Sequence, residues 1–235
     1  MLLLGTIAGV SAQKHKFGVP NLSQYDNKLY HFGFSLNLGT YNYVLSSNPN
    51  LSGLDGCDSL RVVNPRAGKS FGFGIISDLR MGKYFDLRFI PSFSFPDCHI
   101  DYYCNSDNPN PIYANGSANG IVFLDLPLLV KFKSTRMMNN VRAYVLAGAQ
   151  YSFNLVFSKA EQIASRMPEN MILVTAHDVM AQVGVGFDFY CTYFKLATEL
   201  KFSLGLMEQK QTEYDYVGSV TGLRSKGFVF SITFE

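Results

Sequence analysis

The chain has 235 residues, 47% of them hydrophobic and 16% charged, with a net charge of +2 and a mean hydropathy of +0.06. A membrane helix needs about 18 or more mostly apolar residues in a row; the most apolar internal run, Ile121 to Val130, is broken by Asp125 and Pro127, so helical spans are excluded. The 20 Phe and 14 Tyr argue against disorder, the charge balance leaves no footprint for nucleic acid, and the abundance of Gly, Phe and Tyr favours strands over helices.

Leu2 to Val10 is a short apolar run ending in Val10-Ser11-Ala12 before Gln13, a small-residue pattern that suits signal-peptidase cleavage. Residues 1–12 are therefore expected to be a secretory signal, although no Lys or Arg precedes the run; a buried first strand is the competing reading. Export to an oxidising compartment allows Cys98 and Cys104 to close a short disulfide loop, leaving Cys57 and Cys191 as free thiols. A structural zinc site would need paired C-x-x-C spacing, which is absent.

Eight segments alternate large apolar residues with Gly, Ser, Asn or charge, the period of a strand with one apolar face. In chain order they are Tyr30 to Leu38, Phe71 to Met81, Phe85 to Phe95 with Pro91 on its apolar face, Val122 to Phe132, Ala143 to Leu155, Val179 to Phe189, Phe194 to Leu206 and Phe228 to Phe234. A soluble sandwich also alternates, so the connections decide. Long polar stretches follow the odd-numbered segments, at Ser46–Lys69, Pro96–Ala118, Ser158–Val174 and Glu208–Ser225. Short ones follow the even-numbered segments, at Gly82-Lys83, Ser134–Asn140 and Cys191-Thr192. An even strand count with loops sorted by length is the pattern of an outer-membrane barrel. The expected fold is all-β: an eight-stranded antiparallel up-and-down transmembrane β-barrel with four long extracellular loops and short periplasmic turns. It occupies residues 29–235, preceded by a periplasmic N-terminal segment at 13–28.

Hydrocarbon cannot solvate backbone amides, so the sheet must close and turn its apolar face to lipid. An eight-stranded barrel is only wide enough inside to be filled by side chains. The inward positions carry both signs: Asp78, Asp86, Asp125, Asp178, Asp188 and Glu199 against Arg80, Arg88, Lys131, Lys133, Arg142, Lys195 and Lys201. The cost of an unpaired buried charge favours a salt-bridged plug over an ion path.

The segment Asn21-Leu22-Ser23-Gln24-Tyr25-Asp26-Asn27-Lys28, running into His31-Phe32-Gly33-Phe34-Ser35-Leu36, resembles the N-L-x-x-Y-D-x-K, H-F-G-F opening of the PorT family of eight-stranded barrels, found in Bacteroidetes-type bacteria and linked to the type IX secretion system. Phe123-Leu124-Asp125-Leu126-Pro127-Leu128-Leu129-Val130-Lys131 is similar to a strand shared by a wider superfamily of outer-membrane barrels, and Tyr144 to Gln150 is of the same kind. The resemblance covers the chain at the level of strand order, but only the opening motif separates PorT from generic barrels. It implies a non-enzymatic component of protein-export machinery, needed for export or maturation of secreted cargo. The partners implied are the lipid bilayer and other machinery subunits, with no nucleic acid, cofactor, metal or small-molecule substrate.

No P-loop, dinucleotide glycine fingerprint, H-E-x-x-H or G-x-S-x-G occurs. Of four histidines, His15 lies by the cleavage site, His99 beside Cys98 and His177 beside Asp178, while His31 faces inward. A membrane hydrolase built on His177, Asp178 and a loop serine is disfavoured, because adjacent strand residues point to opposite faces. Asn21, Leu22, Tyr25, Asp26 and His31 are the candidate docking residues. Their segment is expected either to bind a partner on the periplasmic side or to fold back and plug the barrel, a plain linker being the alternative. A generic barrel whose extracellular loops bind a ligand or surface partner is the competing functional reading.

Overall fold

The computed structural model describes residues 20–47, 60–97, 99–104, 122–137, 140–156, 175–208 and 220–235. The expected signal at 1–12, Cys57 and Cys98 lie outside the described residues, as does the side chain of Cys104. Among the described residues there are eleven strands: β1 (Tyr30–Ser47), β2 (Leu60–Arg66), β3 (Gly68–Arg80), β4 (Phe85–Phe89), β5 (Ser92–Pro96), β6 (His99–Cys104), β7 (Phe123–Lys133), β8 (Val141–Asn154), β9 (His177–Tyr190), β10 (Lys195–Gly205) and β11 (Val220–Phe234).

β1 pairs with β11 on one side and β3 on the other, so the sheet closes on itself. β4 and β5 share one position between β3 and β7, which makes a closed eight-stave antiparallel barrel. The third expected strand, Phe85 to Phe95, is thus two strands in line: Pro91 has no N–H to give the ladder, and regular pairing lapses at Ile90 and Pro91.

The expected faces are present. Phe32, Phe34, Phe73, Ile75, Val130, Val183, Leu200 and Phe228 are exposed outside, while Asp78, Arg88, Lys131, Asp188 and Glu199 are buried inside. This is a soluble protein turned inside out: an aliphatic and Phe belt makes sense only against hydrocarbon, and the closed sheet satisfies its amides without water. Tyr30, Tyr84 and Tyr193 ring the short-turn end, with Lys83 Nζ 5.3 Å from the Tyr84 ring, an interfacial aromatic girdle. The chain is an integral outer-membrane β-barrel.

Two strands run further than their alternation predicts. β1 continues to Ser47 and β11 starts at Val220, yet beyond the belt the polarity inverts. Tyr41, Tyr43 and Leu223 point inward and are buried, while Thr40, Asn42, Arg224 and Lys226 point outward. Above the membrane the outside is water, so the same pleat demands the opposite pattern. The stretches expected as loops at Ser46–Lys69 and Pro96–Ala118 contain β2 and β6, which pair with each other from Arg66↔His99 to Leu60↔Cys104. Together they prolong the β3–β5 pairing past the rim as a two-stranded ribbon, joined by Asp97 N–H donating to Lys69 O at 2.8 Å.

Leu200→Arg, at the middle of the belt, should cost about 2–4 kcal/mol, whereas Asn42→Arg beyond it should cost about 0–1 kcal/mol. Equilibrium denaturant unfolding in liposomes checks both.

Candidate functional site: the charged interior and its periplasmic mouth

Arg88 on β4 is fully buried and crosses the barrel lumen. Its Nε and Nη2 donate to the two Asp78 oxygens, each at 2.7 Å, its Nη1 to Glu199, and its Nη2 also to Glu235 at 2.9 Å. Three carboxylates from β3, β10 and the end of β11 thus share one guanidinium, whose planar fork is the donor geometry for this task. Lys131 Nζ lies 2.9 and 3.0 Å from the Asp188 oxygens. Lys195 pairs with Glu235 and lies 4.0 Å from Asp188, and Lys201 is 3.4 Å from Glu199. Four cations therefore face four carboxylates, Asp78, Asp188, Glu199 and Glu235. Lys133 and Asp86 form a further pair at 2.6 Å.

Tyr144 organises the centre of this network. Its hydroxyl donates to Glu199 Oε1 at 2.7 Å, and its ring lies 3.7 Å from Lys131 Nζ. The ring rests on its cross-strand partner Gly186, where a Cβ would come within 2.5 Å of Tyr144 Cζ. Glycine is required there by close approach of an aromatic ring.

Two expected members of the interior network differ in role. Arg80 is at the short-turn rim, half exposed, with its Nε donating to Gly82 O at 3.1 Å; the end of β3 carries it out of the lumen. Asp125 sits in the opposite half of the barrel and accepts from Ser152 Oγ at 2.6 Å, in a layer made mostly of Ser and Gln side chains, with Lys201 lining the same cavity. Arg142 and Asp188 are both buried, and Arg142 turns to the mouth. Glu235 and Tyr144 escaped the sequence reading as network members. Both follow the inward parity, Glu235 in step with Ser231 and Thr233 and Tyr144 in step with Arg142, so the signal was present.

At the mouth, residues 21–28 cross the barrel end. Tyr25–Asn27 forms a single 3₁₀ turn after Leu22, which has a positive φ of 48°. Arg142 Nη1 and Nη2 donate to the Asp26 carboxylate at 3.0 and 2.9 Å, and Arg136 Nε does so at 3.0 Å. The Arg136 guanidinium also donates to the carbonyls of Asn21 and Leu22, at 2.7 and 3.1 Å, and stacks 3.6 Å from the Tyr190 ring. Asn21 bonds Asn140 through its N–H and the Tyr190 carbonyl through Nδ2. Tyr25 donates to Glu235 Oε2 at 2.9 Å and stacks on His31 at 4.0 Å between ring centres. Four of the candidate docking residues, Asn21, Leu22, Tyr25 and Asp26, thus engage the chain's own barrel, Leu22 through its carbonyl, and the fifth, His31, is the β1 residue on which Tyr25 stacks. Burial, and after it the Glu235 carboxylate, push the Tyr25 phenol far above its ordinary range, so it remains a neutral donor. Burial alone would raise the Asp26 carboxyl, but the hydrogen bonds and charges of Arg142 and Arg136 outweigh it and hold Asp26 below the ordinary aspartate range.

At the other end His177 faces outward, its Nδ1 2.6 Å from the Tyr151 hydroxyl, while Asp178 faces inward near the Tyr41 hydroxyl. The strand separates these neighbours onto opposite faces and does not assemble them into a catalytic pair. Among the described residues no cluster of three or more His, Cys, Asp or Glu side chains is placed to hold a metal ion. Between the charged network and the long-loop end lies a cavity of about 60 Å³, room for a few waters.

No family model and no curated protein matches this chain. Among solved structures it is similar to the outer membrane protein OprG from Pseudomonas aeruginosa, at 12% identity and a TM-score of 0.45, covering 86% of this chain and 93% of that one. It is also similar to Neisserial surface protein A, at 10% identity and a TM-score of 0.41, covering 88% and 98%. The N-terminal β-barrel domain of Pseudomonas aeruginosa OprF follows at 10% identity and a TM-score of 0.32, covering 85% and 96%.

Arg88→Met would leave three buried carboxylates without their shared cation and should cost about 3–5 kcal/mol, read by denaturant unfolding in liposomes. Acid should release the mouth segment. Because Asp26 has a depressed pKa when docked, its contribution is present above the free aspartate pKa and is lost as pH falls through the docked value. Hydrogen exchange of residues 21–28 should therefore rise on acidification below the ordinary aspartate range, and Asp26→Asn should flatten that dependence while raising exchange at neutral pH.

Proposed function

We propose that this chain is a non-enzymatic outer-membrane component of the type IX protein secretion machinery, of the PorT kind, needed for export or maturation of secreted cargo. The observation that carries this reading is the mouth segment. The residues that make the chain resemble the PorT family, Asn21, Tyr25, Asp26 and His31, are those that join the segment to the barrel end through Arg136, Arg142, Tyr190 and Glu235. A lumen filled by paired charges leaves no aqueous path wide enough for protein, which favours a role at the periplasmic face, beside other subunits, over conduction. Docked in this way, the segment and the short turns present one shaped periplasmic surface for such partners.

A generic barrel whose extracellular loops bind a ligand or surface partner is the second reading. The β2–β6 ribbon favours it, since it extends paired backbone beyond the rim where a loop-borne site would sit.

Replacing Tyr25 and Asp26 by Ala in the native host should abolish secretion of many unrelated cargo proteins, which would accumulate in the periplasm, while heat-modifiable migration on gels stays normal. Unchanged secretion would sink the export reading. Deletion within residues 97–111 separates the alternative, because it should cripple a surface binder and spare an export component.

A further inference from the structure

The barrel wall has a local defect at the height of its internal cavity. In an antiparallel ladder, directly opposite residues that bond exchange two hydrogen bonds. Ile75 N–H donates to Pro91 O at 3.0 Å, and Ile90 N–H donates to Pro127 O at 3.3 Å. The reciprocal bonds cannot form, because neither proline has an N–H. The carbonyls of Ile75 and Ile90 therefore lack their ladder donors on both sides of the same stave, midway along it, where β4 ends and β5 has not begun. Hydrocarbon offers no replacement donor, so both seams of this stave are weakened at one height.

The cavity lies directly behind the defect and is two-faced. Ile90, Phe123, Pro127 and Met180 line it, together with polar Gln182 and Asp125. Gln182 uses its Nε2 to donate to Gln150 and Ser203, so its Oε1 is the free acceptor, buried and without a protein partner. The Asn37 Oδ1, on another lining residue, is also unpartnered. Acceptors in excess ask for a hydrogen-bond donor. The cavity's ionic side chains, Asp125 and Lys201, have opposite signs and ask for no net charge.

We propose that the β3–β5 and β4–β7 seams at Pro91 and Pro127 form a lateral port from the bilayer into this cavity, which takes a single-chain amphiphile with a small, uncharged, hydroxyl-bearing head. The hydroxyls meet Gln182 and Asn37, the start of the tail lies along Ile90 and Phe123, and the rest remains in the membrane. The site is independent of the periplasmic mouth and does not rest on the export reading.

The test uses the full chain in phospholipid nanodiscs with a monoacylglycerol carrying a photoactivatable diazirine next to its head, and mass spectrometry to locate the label. Labelling of inward Ile90, Phe123 and Met180, in addition to outward Phe89 and Leu128, is expected. The double variant Pro91→Val/Pro127→Val restores both ladder donors and should abolish the inward label while keeping the outward one. As a second variant, Phe89→Cys/Leu128→Cys, with the native cysteines changed to Ser, places two thiols directly opposite across the seam. They occupy a close, non-hydrogen-bonded pair that a disulfide can span. Oxidation should abolish the inward label and reduction restore it. A phosphatidylcholine with the same diazirine should label only outward residues. Absence of inward label in the native chain, or inward label unaffected by both variants, overturns the port. Equal inward label from phosphatidylcholine overturns the small-head assignment.

Discussion

A backbone amide in hydrocarbon has no solvent to fall back on, and the rest of this structure follows from that constraint. It forces the strands into one closed sheet, which leaves only two environments for side chains, lipid outside and a narrow lumen inside. Every second residue must then suit lipid and every other one must suit the lumen. The lumen of an eight-stave barrel is too narrow for bulk water, so the polar residues placed there have to satisfy one another. The wall imposes the interior chemistry, and the charged core is a consequence of closure.

Within that interior, Arg88 solves the hardest part of the problem. A carboxylate out of water costs several kcal/mol unless paired and hydrogen-bonded, and Asp78, Glu199 and Glu235 come from three strands, β3, β10 and the end of β11. A single lysine could satisfy one or two of them as a point charge; the guanidinium reaches all three at once. Tyr144 then supplies what ions cannot, filling volume over Gly186 while its hydroxyl and ring face serve Glu199 and Lys131. Through Glu235 the same network reaches Tyr25 and Lys195, so the periplasmic mouth is continuous with the core. Changes at the mouth are thus coupled to the packing of the barrel through one carboxylate.

The belt was legible in the amino-acid sequence because lipid is uniform: the outward positions from Phe32 to Leu38 and from Val179 to Phe189 are all apolar, which leaves the alternation there unblurred. Where the surroundings change, the same signal inverts, so the expected alternation ends at Leu38 on β1 and the start of β11 falls within the loop expected at Glu208–Ser225, although the two backbones pair without interruption up to Ser46. Inward charge was legible by parity, but partner choice was not. Nothing local distinguishes Asp188, which pairs with Lys131, from Asp125, which rests among hydroxyls and amides. That difference depends on height in the barrel, set by the stagger between strands distant in sequence. The mouth segment was recognisable by its residues, yet its contacts to Arg136 and Arg142 span more than a hundred positions. The split at Pro91 was foreseeable from proline chemistry alone. Its significance was not, because it depends on Pro127 arriving beside it on the next stave.

Filling the lumen has a consequence for where function can reside. A conducting barrel works along its axis, so its loops and turns are gates to a path. Here the axis is closed at the short-turn end by Asp26 and Tyr25 and through the centre by paired charges, so exchange along it would require breaking several buried ion pairs together. What remains accessible is the periplasmic surface, the ribbon beyond the outer rim and the lipid-facing wall. The wall is the least expected of these. In a barrel whose stability rests on a complete ladder, one proline within a stave and a second facing it from the next are a cost that packing alone does not explain, since Val would fill a similar volume and restore the bonds. The ordering of stiffness is therefore the reverse of a pore's: a rigid, charge-locked axis and a wall weakened at one height beside a polar cavity.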